Sequence, residues 1–494
     1  MRSLKEYPFF LILIAVFFCL HANVEHYGFL NLSNSFYVCF QILIAAFVLC
    51  YIFYFLNKDF LFSAIITFFM TSWYCFFGDI KDNIHNLIPI IDHYSIILPV
   101  LIFFTVTFYL YFLKKKNFQA KFTLYLNILL LIYCVVDLCI LGFKSFNTEN
   151  PPSSKVNIAL NINAIQNKPN VYYLLFDEYA GYKNLKDSFN FTNDKLYNYL
   201  KINKFQNLHT YSNYAITQFC MSSILNMTYV EVPKDTNNLT FKDMQKRNIE
   251  IQYAFVFNFF RKMGYTINNF SCFDVDKQQS LESNSFILGY NKLLVNKMLH
   301  NRLLKDLSSL FLFGKYRIDF FSDSYNYENE KYNGEVEKGI KNNLNKKSKI
   351  PGFVYAHFLI PHSPILFDSL GQRISNRMIS KNALIPSETK NLYLSYLKYG
   401  NKKIISIVNE IINKDSNAII IIMSDHGYRD WEKRIKFQHF NFNNICFVRN
   451  INNNKLSDSN VEFSNVNFFR YFFNQNFNQC IPYLKDSIGL ALFH

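Results

Sequence analysis

Hydrophobic residues are unevenly distributed along the 494-residue chain, and their pattern divides it into two parts. Five long apolar stretches precede residue 144, at roughly 8–26, 36–56, 60–78, 94–113 and 122–143. Most of them reach the ~20 residues that a helix needs to cross a bilayer. We therefore predict a transmembrane domain of five helical spans over residues 1–143. The first stretch is kept as a span because no convincing small-residue cleavage site follows it.

The basic residues between these stretches predict the orientation of the spans. With the N-terminus inside, the outer loops carry only Lys81 and Lys144. The inner loops then carry Arg2, Lys5, Lys58, Lys114, Lys115, Lys116 and Lys121. An excess of Lys and Arg is typical of cytoplasmic loops. We therefore expect a multi-pass protein of the inner (plasma) membrane, with everything after Phe143 outside the cytoplasm.

The remaining chain predicts a linker and a large α/β domain. Residues 144–169 are rich in Asn and Ser, and the domain follows at 170–494. Three unbroken apolar runs lie in this domain, at 171–176, 353–359 and 418–423. Runs of this kind are typical of strands buried on both faces of a parallel sheet. The fold class is therefore α/β: five N-terminal transmembrane helices followed by a domain with a mostly parallel central sheet.

Acidic and histidine side chains follow these runs. Asp177 and Glu178 end the first run, and Asp425 and His426 follow the last after Ser424. Open α/β sheets bind their ligands just beyond the carboxyl ends of such strands. An aspartate buried there without a partner would be costly, and a bound cation is the simplest compensation. Carboxylate and imidazole ligands do not decide between Mn, Zn and Mg. We predict one divalent metal ion, and a second ion stays open.

Thr217 begins a short predicted helix that continues to Asn226. A helix N-terminus favours negative charge through its free N–H groups and its dipole. A hydroxyl group there can serve both as a nucleophile and as a metal ligand. The alternative is that Thr217 only caps the helix.

Three further histidines are candidates for substrate contacts. His362 lies between two prolines after the second run, where it can bind a phosphoryl oxygen or protonate a leaving group. His357 lies inside that run, where a hydrogen-bonded core histidine is the alternative to substrate binding. His439 follows His426 in the sequence, and either a substrate contact or a structural role is open for it.

The chain carries a formal net charge of +15. Residues 1–150 contain nine Lys/Arg and eight Asp/Glu, which gives +1 and leaves +14 for the remainder. A basic face suits an anionic membrane surface or a phosphorylated substrate, although a solvated lysine-rich surface would show the same excess. The predicted topology argues against nucleic acid as a partner.

The order of these motifs resembles the alkaline phosphatase superfamily. The resemblance is to its membrane-anchored, sulfatase-like branch, which includes lipoteichoic acid synthases and phosphoethanolamine transferases. The segments that carry it are 170–178, 212–217 and 424–427, with weaker similarity at 361–364, 464–470 and 482–487. The resemblance covers nearly the whole chain. It implies that residues 170–494 form an extracytoplasmic sulfatase-like catalytic domain.

The resemblance also implies roles for individual residues. Thr217 would be the nucleophile, and His362 and His439 would contact substrate. The metal ligands would be Asp177, Glu178, Thr217, Asp425 and His426. The sulfatase signature Cys-x-Pro-x-Arg is absent around Cys220, which argues against sulfate-ester hydrolysis and favours a packing role for this cysteine.

The implied activity is a metal-dependent transfer through a threonine nucleophile. A phospho-group, phosphoethanolamine- or phosphoglycerol-like, would move from a membrane phospholipid donor to a glycan or lipid acceptor of the cell envelope. One alternative is a sulfatase-like or phosphodiester hydrolase, which passes the group to water. The other is a non-catalytic membrane protein that binds a surface polymer.

Overall fold

The chain forms two compact units in a computed structural model. Unit 1 comprises residues 1–150 and 288–316, and unit 2 comprises residues 151–287 and 317–494. The structure describes residues 2–27, 30, 32–88, 93–114, 116–147, 168–232, 241–276, 278–281, 294–295, 297–308, 319–346, 348–374, 386–428, 442–451 and 462–487.

Apolar helices make up the N-terminal part of unit 1. They are α1 (Arg2–Glu6), α2 (Phe10–Glu25), α3 (Leu32–Asn57), α4 (Phe60–Cys75), α5 (Phe77–Leu87), α6 (Tyr94–Lys114) and α7 (Lys116–Asn147). Segments of α3, α6 and α7 are long and apolar enough to cross a membrane. A fourth span results if α4 and most of α5, which meet at a bend of 59°, are taken together. Helix α2, with 16 residues, is apolar but shorter. Three or four candidate spans are thus present among the described residues, and a fifth at α2 stays a prediction.

Unit 1 also contains a segment from much later in the chain. Its described part includes Leu294 and continues into helix α13 (Leu299–Ser308). Leu294 and Met298 are buried in a cluster with Ala15, Phe18 and Cys75 of the apolar helices. The sequence analysis assigns residues 288–316 to the extracytoplasmic domain, because nothing in their local pattern indicates that they pack with these helices.

Ion pairs hold the same segment. Lys297 is paired with Glu25 at the end of α2 and lies 2.9 Å from Asp79 in α5. Arg302 of α13 is paired with Asp82 of α5. The carbonyl of Lys297 also accepts a hydrogen bond from the backbone N–H of Gly78 at 2.7 Å. Apolar burial and ion pairs therefore both hold the described part of residues 294–308 against these helices.

Unit 2 is built on a central sheet of six strands in the order β2-β8-β6-β1-β5-β4. These are β1 (Val171–Phe176), β2 (Phe205–Asn207), β4 (Thr266–Phe270), β5 (Gly352–Phe358), β6 (Ile419–Met423) and β8 (Cys446–Arg449). Strands β4, β5, β1 and β6 pair in parallel, whereas β8 is antiparallel to both β6 and β2. A smaller sheet has the order β7-β3-β9, with β3 (His209–Tyr211), β7 (Asn443–Asn444) and β9 (Glu462–Ser464).

The three predicted apolar runs become the centre of this sheet. Strands β5, β1 and β6 are neighbours, and every residue in them is buried. Burial on both faces explains why the runs contain no alternation of polar and apolar residues. Because the three strands are parallel, their carboxyl ends lie at one edge. The mostly parallel sheet is confirmed, and β8 makes it mixed.

Helices cover the sheet. They are α8 (Tyr182–Phe189), α9 (Asp194–Ile202), α10 (Thr217–Asn226), α11 (Phe241–Gln252), α12 (Phe255–Lys262), α14 (Asp319–Asn345), α15 (Pro386–Lys414) and α16 (Phe468–Asn476). Helix α14 packs on β4 and β5, and α10 packs against α11, α12 and α16. Helix α10 is buried along nearly its whole length, which fixes the position of its first residue, Thr217.

Candidate metal centre

Three predicted metal ligands meet at the carboxyl edge of the sheet. Asp177 follows β1, and its backbone N–H donates to the carbonyl of Phe358 at the end of β5 at 2.9 Å. Asp425 and His426 follow β6. One ligand atom from each of Asp177, Asp425 and His426 lies within 4.8 Å of the others, and all three side chains are buried. The strand ends therefore gather these groups as predicted from the sequence.

The turns after β1 and β6 are hydrogen-bonded to each other. The backbone N–H of Glu178 donates to Asp425 Oδ1 at 3.2 Å, and that of Tyr179 donates to Ser424 Oγ at 2.8 Å. Glu178 has a φ of 58°, in the left-handed region that a non-glycine residue seldom adopts. The hydroxyl of Ser424 donates to the carbonyl of His426 at 2.7 Å. These bonds fix the two acidic turns relative to one another.

The ring of His426 is oriented for metal binding. Its Nδ1 lies 2.9 Å from the carbonyl oxygen of Gly427. Because a carbonyl only accepts, Nδ1 must carry the hydrogen, and the neutral ring then has a lone pair on Nε2. Nε2 lies 3.2 Å from Asp425 Oδ2 and 3.9 Å from Asp177 Oδ1. A backbone carbonyl on the far ring nitrogen is the usual arrangement of a metal-ligating histidine.

The donor set fits a divalent cation. Oδ2 of Asp425 is buried and accepts no hydrogen bond from any part of the chain that the structure describes. A buried carboxylate oxygen without a donor is destabilising, and a bound cation removes that cost. Two carboxylates and an imidazole are ligands that Zn, Mn and Mg all accept. The residues therefore fit a metal ion without deciding which one.

Thr217 lies beside this group at the start of α10. The residue before the helix is Ile216, in extended conformation, and no side chain caps this end. Thr217 Oγ1 instead lies 3.5 Å from Asp177 Oδ2 and 3.3 Å from His426 Nε2. Thr217 is thus not a helix cap. Its hydroxyl points into the candidate metal centre, and the first backbone N–H groups of α10 have no partner within the helix.

His357 contacts a metal-ligand candidate from inside the sheet. It is fully buried in β5, and its Nε2 lies 3.2 Å from Asp177 Oδ2. Its Nδ1 lies 3.1 Å from the hydroxyl of Tyr355. Burial lowers the pKa of His357 to about 4. A neutral ring that donates from Nε2 to Asp177 and accepts from Tyr355 at Nδ1 satisfies all of these contacts. Substrate binding by His357 stays a prediction, while its contacts support a role in orienting Asp177.

The lowered pKa of His357 predicts a pH-dependent stability. Between its ordinary pKa of 6.5 and about 4, the unfolded chain binds a proton that the folded chain does not. The stabilisation is complete above pH 6.5 and is lost as the pH falls towards 4, by on the order of 3 kcal/mol. In metal-free protein, His357→Gln should therefore flatten the fall in melting temperature between pH 6.5 and 4. His209→Gln on β3 is the control and should keep the slope of the unmodified protein. Equal slopes for all three would contradict the assignment.

Two other predicted residues lie next to the group. His362 is half-buried, and its Nε2 lies 3.7 Å from Oε2 of Glu178. The peptide bonds before Pro361 and Pro364 are both cis. The Glu178 side chain faces His362, whereas the compact group consists of Asp177, Asp425 and His426. The roles of Glu178 as metal ligand and of His362 in catalysis or substrate binding stay predictions. His439 lies outside the described residues.

Sequence reasoning missed the residues that support the centre. The hydroxyl of Tyr393 donates to the carbonyl of Glu178 at 2.7 Å and accepts from the N–H of Ala180 at 3.0 Å. The side-chain amide of Asn465 donates to the carbonyl of Asp425 at 3.0 Å. Tyr393 lies within helix α15, where no local pattern distinguishes it. Asn465 lies in the segment 464–470, which the motif comparison already included.

The fold and the buried group define an α/β domain with a candidate metal centre at the carboxyl edge of its sheet. No protein-family model matches the chain, and no curated protein matches it. Solved structures do match. One is the C-terminal periplasmic domain of EptC from Escherichia coli, in complex with Zn, at 11% identity and a TM-score of 0.37; the alignment covers 65% of this chain and 85% of that one.

Two further matches come from other bacteria. A protein in the alkaline phosphatase superfamily from Vibrio parahaemolyticus is 12% identical, with coverage of 65% and 72% and a TM-score of 0.35. The phosphonate monoester hydrolase SpPMH from Silicibacter pomeroyi is 11% identical, with coverage of 65% and 76% and a TM-score of 0.37. At this level of similarity the matches do not identify an activity.

Proposed function

We propose that the protein is a metal-dependent transferase of the cell envelope. It moves a phospho-group, phosphoethanolamine- or phosphoglycerol-like, from a membrane phospholipid to a glycan or lipid acceptor. The observation that carries this proposal is the position of Thr217. Thr217 is the first residue of helix α10, and its hydroxyl lies within 3.5 Å of both Asp177 and His426. Few structural roles require a threonine hydroxyl at that point.

The candidate metal centre would activate the Thr217 hydroxyl as a nucleophile. A divalent cation held by Asp177, Thr217, Asp425 and His426, with Glu178 alongside, would lower the pKa of the hydroxyl and offset charge on the phosphoryl oxygens. Asp177 accepts the hydrogen bond of the Thr217 hydroxyl and so orients its oxygen. The backbone N–H groups at the start of α10 are placed to donate to a phosphoryl oxygen, as helix N-termini commonly do.

The proposed transfer takes place in two steps, both of which involve the Thr217 oxygen. The Thr217 hydroxyl releases its proton to water, its Oγ forms a bond to phosphorus, and the bond from phosphorus to the diacylglycerol oxygen breaks. His362 is the candidate to protonate that leaving oxygen. The group is then held as a phosphodiester of Thr217. In the second half a hydroxyl of the acceptor attacks the same phosphorus and passes its proton to His362, while the Thr217 oxygen leaves and regains a proton from water.

The apolar helices suit a phospholipid donor. The basic residues of the predicted loops would keep the N-terminus inside and place unit 2 outside the cytoplasm. A catalytic domain tethered in this way works near the bilayer surface, where phospholipid head groups are concentrated. The basic charge of the outer part would favour anionic lipids or phosphorylated acceptors.

A covalent adduct tests the proposal. Full-length protein in detergent is incubated with phosphatidylethanolamine and phosphatidylglycerol that carry labelled head groups, and the peptide containing Thr217 is examined by mass spectrometry. We expect the mass of the transferred group on Thr217, and its absence in chelator-treated protein. If the adduct on Thr217 forms and the phospho-group is then released to water, the protein is a hydrolase. If neither an adduct on Thr217 nor release of diacylglycerol is observed, an enzymatic role is contradicted.

A further inference from the structure

A groove of about 340 Å³ lies in unit 2 between helices α14 and α15. Phe358 and Ile360, at and after the end of β5, form its floor. Its volume is near the lower end of the ~300–1,000 Å³ typical of small-molecule sites. No residue of the candidate metal centre is among the described residues that line it. The groove is therefore a separate concavity, although Ile360 precedes His362 by only two residues.

The acidic side chains of the groove are already paired, and Lys331 adds one further basic group to its lining. Glu330 is paired with Arg373, and Glu337 lies 2.8 Å from Lys403. Glu335 lies 3.3 Å from Lys338. These pairs offer donors and acceptors side by side without an excess of acidic charge. A ligand with hydroxyl groups suits such a surface, because each hydroxyl both donates and accepts.

Aromatic rings form part of the wall. The rings of Phe367 and Tyr399 stack at 4.8 Å, and that of Tyr399 stacks with Tyr396 at 5.9 Å. Phe367 and Tyr399 are only partly buried. Tyr396 and Lys403 also contact the Tyr399 ring, so Phe367 presents most of the apolar ring surface beside the paired charges. Burial of a flat apolar face on such rings is favourable.

Gly334 of α14 lines the same groove and has no packing explanation. A glycine inside a helix is destabilising relative to alanine. A Cβ atom at Gly334 would meet nothing within 4 Å, so alanine would fit. Gly339 of the same helix is different, because a Cβ there would lie 2.5 Å from the ring of Phe270. Packing thus accounts for Gly339, whereas a ligand lying close to the helix backbone would account for Gly334.

We propose that this groove binds a saccharide, with one pyranose ring seated over Gly334. The apolar C–H face of the ring packs on the exposed part of Phe367, and its hydroxyls bond to the paired charges around Glu330 and Glu337. A pyranose combines a flat apolar face with peripheral hydroxyls, which matches this wall. A lipid chain would remove water from the charged pairs without offering them hydrogen bonds, and a cation would find the carboxylates already neutralised. The site does not depend on the transferase activity proposed above.

Saturation-transfer NMR on the full-length protein tests this site directly. The detergent is an amine oxide, because detergents with sugar head groups would compete. The probes are the methyl pyranosides of glucose, galactose, mannose and N-acetylglucosamine, and cyclohexanol serves as an apolar ring without multiple hydroxyls. We expect transfer to the ring protons of at least one pyranoside and none to cyclohexanol. No transfer to any pyranoside would overturn the proposal.

Two substitutions locate the binding. Gly334→Leu fills open space on a helix, so its melting temperature should not fall, while its affinity for the bound pyranoside should fall at least tenfold. Asn342→Leu, on an exposed position of the same helix outside the groove, is the matched control and should bind normally. Asp425→Asn, in the candidate metal centre, should also bind normally. Unchanged binding in Gly334→Leu, or loss in Asp425→Asn, would place the sugar elsewhere.

Discussion

Replacing Thr217 with alanine should eliminate transfer, with turnover falling by roughly four orders of magnitude or more. The nucleophile is lost, whereas the fold is not threatened, because the side chain does not cap α10. Phospholipid turnover and the covalent adduct should vanish together. The melting temperature should stay within a few degrees, since only one methyl-sized contact and a hydroxyl disappear from a large domain.

Two variants control this result. Thr217→Ser keeps the hydroxyl and should retain measurable turnover. Cys220→Ser, one turn further along the same helix, should remain largely active, because the Cys220 thiol is buried and donates to the carbonyl of Tyr214 at 3.1 Å. If Cys220→Ser is inactive while Thr217→Ala works, the protein uses a cysteine nucleophile and the threonine assignment is wrong.

Loss of the metal is the second large effect expected. Asp425→Ala and His426→Ala should each lower the metal content of dialysed full-length protein from about one equivalent to near zero, because each removes a ligand from a small buried set. Elemental analysis measures this directly. In metal-free protein, Asp425→Ala lessens the repulsion between buried carboxylates but also removes the acceptor of the Glu178 N–H, so the melting temperature should change by only a few degrees.

A carboxylate at the opposite end of the same strand provides the control. Asp415 precedes β6, and its side chain accepts a hydrogen bond from Asn170 at 2.7 Å. Asp415→Ala should keep full metal content, although it removes the same charge from the other end of the same strand. Stoichiometric metal in both Asp425→Ala and His426→Ala would place the metal elsewhere in the chain.

The centre of the sheet was predictable because its strands are buried on both faces. Val171–Phe176 and Ile419–Met423 are continuous apolar runs, and an acidic residue follows each within two positions. Such runs require neighbours on both sides, which forces them into the middle of one sheet. The meeting of Asp177 with Asp425 and His426 then follows from strand polarity alone. The helix at Thr217 was predictable from its local apolar pattern.

Other features depend on contacts that leave no local pattern. The strands β2, β3 and β9 have three residues each, too few to show a period. The antiparallel pairing of β8 with β6 is decided by partners far apart in sequence. His357 looks like any core histidine until β1 is placed beside β5 and Asp177 comes within reach. Burial was predictable for these residues, but the partner was not.

The return of residues 288–316 to unit 1 means that the polypeptide passes between the units three times, after residues 150, 287 and 316. A fragment that begins at residue 168 and lacks the N-terminal helices would therefore separate residues 294–308 from the helices that bury them. Leu294 and Met298, which are 1% and 3% exposed in the whole chain, would then face water. Exposed apolar patches of this kind promote aggregation. Removal of the N-terminal helices is thus not a neutral truncation, and biochemistry on this protein is best done with the membrane part attached.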